Sequence, residues 1–248
     1  TPITSVSTEK LEAGARNCMQ LVSDSPHPWI MVFLGGSTAR HKFDAKSAYH
    51  MGSRIRSLAS RLNGKVFATT SRRTGNAAAK AFISGLGSPH FVYTWRPDEV
   101  ENPYMGYLAL ADILIVTGES ESMLAEASRT HTPLYIYRLS EQPNDILGRC
   151  KEWLLHKAQE QKLTSRGSIR PQKGFARFCA RLIEHGFVYP RRRLETLHNA
   201  LVEQKVAEYF DVLDTGELTG EFKIRERFEE TETVAKRVRQ LLSFHVSP

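Results

Sequence analysis

The chain has 248 residues, a formal net charge of +7 and 41% hydrophobic residues, enough for a core in one large domain or in one domain with a partial second. No apolar run approaches the ~18 residues of a membrane-spanning helix, so none is expected. The basic balance favours anionic partners. The three dispersed cysteines, Cys18, Cys150 and Cys179, indicate neither a disulfide framework nor a Cys/His zinc site and fit a reducing, cytoplasmic setting.

Residues 8–22 read as an amphipathic helix, with Leu11, Ala15, Cys18 and Val22 at helical spacing and Pro26 and Pro28 beyond its end. Residues 1–28 are thus an N-terminal helix and linker. A buried strand follows at 29–34 and stops at Gly35-Gly36-Ser37-Thr38. A helix spans 45–62 and is capped by Asn63-Gly64. The second strand, 65–69, leaves through Thr70-Ser71-Arg72-Arg73-Thr74-Gly75 into a small-residue helix that Gly85 and Gly87 break. A third strand is expected at 90–94 and a short helix from Asn102-Pro103 to Leu110, with proline at its first position. The fourth strand, 113–116, runs into Thr117-Gly118-Glu119-Ser120 and a helix at 122–128. The fifth is 134–137.

Residues 29–140 therefore alternate strand and helix, and the strands are continuous apolar runs, as when both sheet faces are covered. This predicts an α/β fold: a doubly wound parallel Rossmann-like sheet of about five strands. Residues 141–248 read as a helical extension. Its helices are expected at 145–160, 175–185, 190–210 and 228–244, with a basic loop at 164–174 and a linker at 211–221.

Ligands of such sheets bind at the carboxyl ends of the strands, where the polar turns fall. Gly35, Gly36 and Ser37 form a plausible diphosphate cradle, since glycines let backbone approach an anion and a serine adds a hydroxyl. The turn serves equally as a plain connection. It is neither G-x-G-x-x-G nor a Walker loop. Thr70, Ser71 and Arg72 belong to a turn with two adjacent arginines and several hydroxyls, an anion clamp by composition. Arg72 is the favoured inward member. Trp95 at a strand end can border a nucleobase or belong to the core. Gly118, Glu119, Ser120, Ser122 and Met123 open a helix whose N-terminus suits a phosphate. Ser120 as an ordinary N-cap is the alternative. Glu126, one helical turn beyond Ser122, can reach a hydroxyl of whatever is bound. The nine histidines are scattered. His41 is the best placed, but the default reading leaves it at the surface. No nucleophilic triad, metal-ligand pattern or redox cysteine is evident, so catalytic residues stay unassigned, with no metal and no tightly bound cofactor expected. Nucleic acid is disfavoured as a partner, because basic residues and stacking aromatics do not interleave.

Four segments together, Leu34-Gly35-Gly36-Ser37, Thr69 through Thr74, Asn102 through Ala109, and Ala111-Asp112 through Glu126-Ala127, resemble the mitochondrial-fission "elongated mitochondria" family of plants and its bacterial relatives. A weaker echo lies at Arg166 to Pro171. That family is similar to GT-B glycosyltransferases, in which two Rossmann-like domains face each other and the carboxyl-terminal one binds the nucleotide sugar. The likeness is strongest to the N-acetylglucosaminyltransferase of peptidoglycan lipid synthesis. The resemblance implies a UDP-type nucleotide sugar as ligand. Gly35, Gly36 and Ser37 would lie under its diphosphate, Ser120, Ser122 and Met123 along the second turn, and Glu126 on the ribose. It also implies that an amino-terminal acceptor domain is lacking here. An aspartate is usual where Glu119 stands. The alternative it implies is a non-catalytic adapter that recruits a dynamin-like GTPase, peripheral to an anionic membrane such as the outer mitochondrial surface.

Overall fold

The computed structural model describes residues 6–97, 102–142, 146–159, 174–185 and 194–215. It divides into two compact units, one holding residues up to 141 and from 194 onward, the other 142–193.

The first unit is built on β1 (Trp29–Leu34), whose six residues are all buried. Alternation along the strand sends them both ways. Ile30, Val32 and Leu34 join one apolar cluster, and Trp29, Met31 and Phe33 the other. β1 pairs in parallel with β3 (Lys65–Thr70) on one side and β5 (Ile113–Thr117) on the other. β4 (Phe91–Tyr93) lies outside β3, and β6 (Leu134–Tyr137) and then β8 (Ala207–Tyr209) lie outside β5. The order β4-β3-β1-β5-β6-β8, numbered within this sheet alone, is 3-2-1-4-5-6. This is the doubly wound order, with its switch point between β1 and β5. A separate antiparallel pair joins β2 (His41–Lys42) to β7 (Ser140–Glu141).

Helices cover both faces. Side chains of α2 (Ala45–Leu62), α3 (Asn76–Leu86) and α9 (Asp211–Thr215) enter the first cluster. Those of α1 (Thr8–Val22), α4 (Tyr104–Leu110), α5 (Glu121–Ala127) and α8 (Leu194–Glu203) enter the second. Ser7 caps α1 and Asp44 caps α2, and Asn63 ends α2 in the left-handed region at φ 51°. Among the described residues, no helix is long and apolar enough to cross a membrane. In the second unit α6 (Ile146–Gln159) packs on α7 (Phe175–Glu184), with the Trp153 and Phe175 rings 5.5 Å apart.

Several expectations are corrected. Gly85 does not break α3, which runs through it to Leu86. A Cβ at Gly85 would stand 2.2 Å from the Tyr49 carbonyl oxygen, so this glycine lets α3 press against α2. Pro103 is the N-cap of α4 rather than its first helical residue, and Asn102 Oδ1 accepts the Tyr104 N–H at 2.9 Å. The helix expected at 190–210 is α8, a break at Lys205 (φ 58°) and then β8, a sixth strand in the sheet. The expected linker at 211 begins instead with α9. The helix expected at 228–244, and residues 164–173 of the expected basic loop, lie outside the described residues.

Candidate functional site

The switch point brings the turn after β1 against the turn after β5. Apolar strand pairing carries Phe33 alongside Val116, so the chain emerges at Gly35 and at Thr117 within hydrogen-bonding reach. The Gly35 N–H donates to Thr117 Oγ1 at 2.8 Å. The Thr117 hydroxyl donates in turn to Glu119 Oε1 at 3.2 Å, and the Gly36 N–H donates to the same oxygen at 2.7 Å. Glu119 is only 4% exposed, and its Oε2 has no hydrogen-bond partner among the described residues. Burial raises its pKa, opposed by its own backbone N–H, by the Gly36 and Thr117 bonds and by the positive charge of Arg73.

The two glycines are required by this packing. A Cβ on Gly35 would lie 1.7 Å from Glu119 Oε1, and one on Gly36 2.0 Å from the Arg73 carbonyl oxygen. Ser37 is exposed, and its Oγ accepts the Phe43 N–H at 2.9 Å.

The third turn is fastened to the first. Thr74 Oγ1 donates to the Leu34 carbonyl at 3.0 Å and also bonds the Gly35 carbonyl. The Ser71 N–H donates to Thr74 Oγ1 at 2.9 Å. Thr70 Oγ1 accepts the N–H of the half-buried Trp95 at 2.8 Å. Thr70 and Ser71 thus join the exits of β1, β3 and β4. Arg72 and Arg73 are both exposed. The charge that reaches Glu119 is that of Arg73, not of the favoured Arg72.

On the far side, Gly118 is enclosed. Its N–H donates to the Tyr137 carbonyl at 2.8 Å, and its carbonyl accepts from His198 Nε2 at 2.7 Å. A Cβ there would meet the His198 ring at 2.9 Å. A carbonyl can only accept, so His198 carries its proton on Nε2. Burial lowers its pKa, and the bond to the Gly118 carbonyl opposes that shift. Ser120 is buried, but its side chain makes no capping bond, and α5 has only seven residues. Ser122 is exposed and Met123 packs beside the second core cluster. Glu126 is half-buried and accepts a short hydrogen bond from the Tyr104 hydroxyl; burial raises its pKa and that bond opposes the rise.

The structure therefore brings Gly35, Gly36, Thr70, Ser71, Gly118 and Glu119 into one bonded assembly at the sheet's carboxyl edge. Glu126 is engaged on α4. Two contributors escaped the sequence reading. Thr117 carried a legible signal, a hydroxyl on the last residue of an apolar strand. His198 carried none, because it arrives from a helix some 80 positions away. His41, read as a surface residue, is buried. Its N–H donates to Thr38 Oγ1 at 3.0 Å, and burial lowers its pKa.

The family model described as Mitochondrial fission ELM1 matches residues 1–190. The mitochondrial fission protein ELM1 of Arabidopsis thaliana is 29% identical over 150 residues, 60% of this chain and 32% of that protein. The uncharacterized protein RP120 of Rickettsia prowazekii is 29% identical over 133 residues, 52% of this chain and 37% of that protein. The matched stretch thus spans about a third of each relative's length.

Proposed function

This chain belongs to the mitochondrial fission ELM1 family, and on that premise we propose that it is a nucleotide-sugar-binding domain of GT-B-like architecture. The observation that carries the reading is the switch point itself. The turns after β1 and β5 meet there: the Gly36 N–H and the Thr117 hydroxyl converge on the Glu119 carboxyl, and the Gly35 N–H donates to Thr117 Oγ1. Donors held in place by a sheet suit a phosphoryl oxygen, since the backbone that presents them is already fixed when a ligand arrives. In this reading Gly36 and Thr117 face the diphosphate of a UDP-type donor, and Arg72 and Arg73 supply positive charge at the rim. Trp95 borders the base and Glu126 holds the ribose.

Titration calorimetry with UDP and UDP-sugars tests it. Saturable heat is expected, weakened in Glu126→Ala and in Gly36→Ala. No heat at millimolar ligand, or a titration that Glu126→Ala leaves unchanged, overturns it.

One observation favours a second reading, a non-catalytic adapter of a dynamin-like GTPase. The cradle donors are already satisfied by the chain's own Glu119, and Glu126 is already held by Tyr104. A folded domain that needs these turns only for its own packing would look the same. Purified chain that retains a polymerising GTPase from a native lysate and binds no nucleotide favours this reading. Nucleotide binding with no GTPase retained counts against it.

A further inference from the structure

Among the described residues, Glu119 is the acidic side chain placed where the crevice's donors meet. The Gly36 N–H reaches its Oε1 directly, and the Gly35 N–H reaches it through the Thr117 hydroxyl. The charged group that acts on it is Arg73, a cation from the turn after β3. The Gly36 N–H, the Thr117 hydroxyl and the Arg73 charge are partners that an anion accepts, while burial opposes the carboxyl's charge. The fit is tight on one side only. Oε1 presses on the face of Gly35 so closely that a Cβ there would lie 1.7 Å away. Oε2 is buried with no hydrogen-bond partner among the described residues. A carboxyl so held is only half satisfied.

From this geometry we propose that the Glu119 carboxyl is a resident anion: it occupies the phosphoryl position of the crevice, and a phosphoryl ligand binds by displacing it. This rests on the reading of the crevice as a phosphate-binding site and adds how that site is closed. A tetrahedral phosphoryl group offers three oxygens to the donors that Oε1 now takes alone. Displacement also releases the under-satisfied carboxyl toward solvent. The side chain thus acts as a plug that any ligand must outcompete, so wild-type affinity understates what the cradle itself provides.

The test is titration of wild type, Glu119→Ala and Glu119→Gln with inorganic pyrophosphate and separately with UDP, read by calorimetry and by the shift in melting temperature. In Glu119→Ala the freed donors are expected to bind pyrophosphate roughly tenfold more tightly than wild type, a difference of about 1.4 kcal/mol. Glu119→Gln keeps an oxygen for Gly36 and Thr117 but not the negative charge, and is expected to fall between wild type and Glu119→Ala. A folded Glu119→Ala with unchanged or weaker pyrophosphate binding overturns the proposal. If the alanine variant does not fold, the Gly36 amide resonance of wild type decides. It must move as pyrophosphate saturates the protein, and an unmoved resonance overturns the proposal equally. The two readings separate by ligand. Pyrophosphate gained by Glu119→Ala with no added affinity for UDP supports the plug and counts against a nucleotide site. UDP bound tightly by wild type and less tightly by Glu119→Ala supports the nucleotide site and overturns the plug.

Discussion

Gly35 and Gly36 are adjacent and chemically identical, yet a methyl group at each meets a different obstacle. At Gly35 the nearest atom is the tip of the Glu119 side chain, whereas at Gly36 it is the Arg73 backbone, with the carbonyl oxygen at 2.0 Å and its carbon at 2.3 Å. A side chain can swing away and a stapled turn cannot. Gly36→Ala is therefore expected to cost about 2–4 kcal/mol, and Gly35→Ala less. In a Glu119→Ala background the cost of Gly35→Ala should largely vanish, a coupling of roughly 1–3 kcal/mol in a double-mutant cycle by urea denaturation. Strictly additive costs would show that the carboxyl is not what Gly35 accommodates. The same carboxyl sets a pH dependence. Burial raises its folded-state pKa above the ordinary 4.5, so the folded chain holds the proton more tightly than the unfolded chain. Its contribution to stability is complete below 4.5 and is lost as pH rises through the folded value. Glu119→Gln removes that loss. Its stability relative to wild type should climb across this window in denaturation at stepped pH, and parallel profiles would refute the assignment. The sequence singled out both glycines and Glu119. It could not show that they touch one another, because that contact depends on β1 and β5 being neighbours in the sheet.

At the scale of elements, the long apolar segments were legible. α1, β1, α2 and β6 lie where periodicity and their terminating residues place them. Local signals failed where tertiary packing decided the outcome. Gly85 looked like a breaker because an isolated glycine weakens a helix. Its actual role is to bring two helices together. A Cβ at Gly85 would meet the Tyr49 carbonyl oxygen at 2.2 Å, and one at Gly52 would meet the Phe82 carbonyl oxygen at 2.4 Å, each from the facing helix. Alanine normally stabilises a helix over glycine by about 1 kcal/mol. Here Gly52→Ala and Gly85→Ala are each expected to destabilise by roughly 2–4 kcal/mol, since α2 and α3 must separate. A thermal melt that rises in either variant would show that the helices yield without cost. β8 was missed for a related reason. Ala207, Glu208 and Tyr209 form a short edge strand with only Ala207 fully buried, so no apolar run announces it. Its place comes from pairing with Leu134, Tyr135 and Ile136 of β6.

Across the whole first unit, the return of residues 194–215 to the sheet governs what can be removed. The sequence placed the Rossmann-like segment at 29–140, yet its outer face is finished by later residues. β8 covers the β6 edge, Leu201 and Val206 enter one apolar cluster, and Phe210 and Leu213 enter the other. The return is also fastened electrostatically. Arg54 of α2 donates to Asp211 at 2.8 Å and to Asp214, Arg138 reaches Asp211 at 2.7 Å, and these guanidinium bonds hold the Asp211 pKa below the ordinary 3.8. That contribution is present above pH 3.8 and is lost as pH falls through the lowered value. The same return supplies His198, whose ring donates to the Gly118 carbonyl behind the crevice. Ending the chain at Gln142 therefore does two things at once. It uncovers an apolar strand edge, the arrangement that templates aggregation, and it takes the support from the turn that carries Glu119. Such a chain is expected to lose its cooperative melt and to elute as aggregates in size-exclusion chromatography. His198→Ala in the full chain isolates the second effect. It should leave the melt cooperative while exposing the Gly118 and Glu119 amides to faster hydrogen exchange, with those of β3 and β4 unchanged. A monomeric, cooperatively melting chain ending at Gln142 would mean that the chain up to that point folds without the later residues and that they only decorate it.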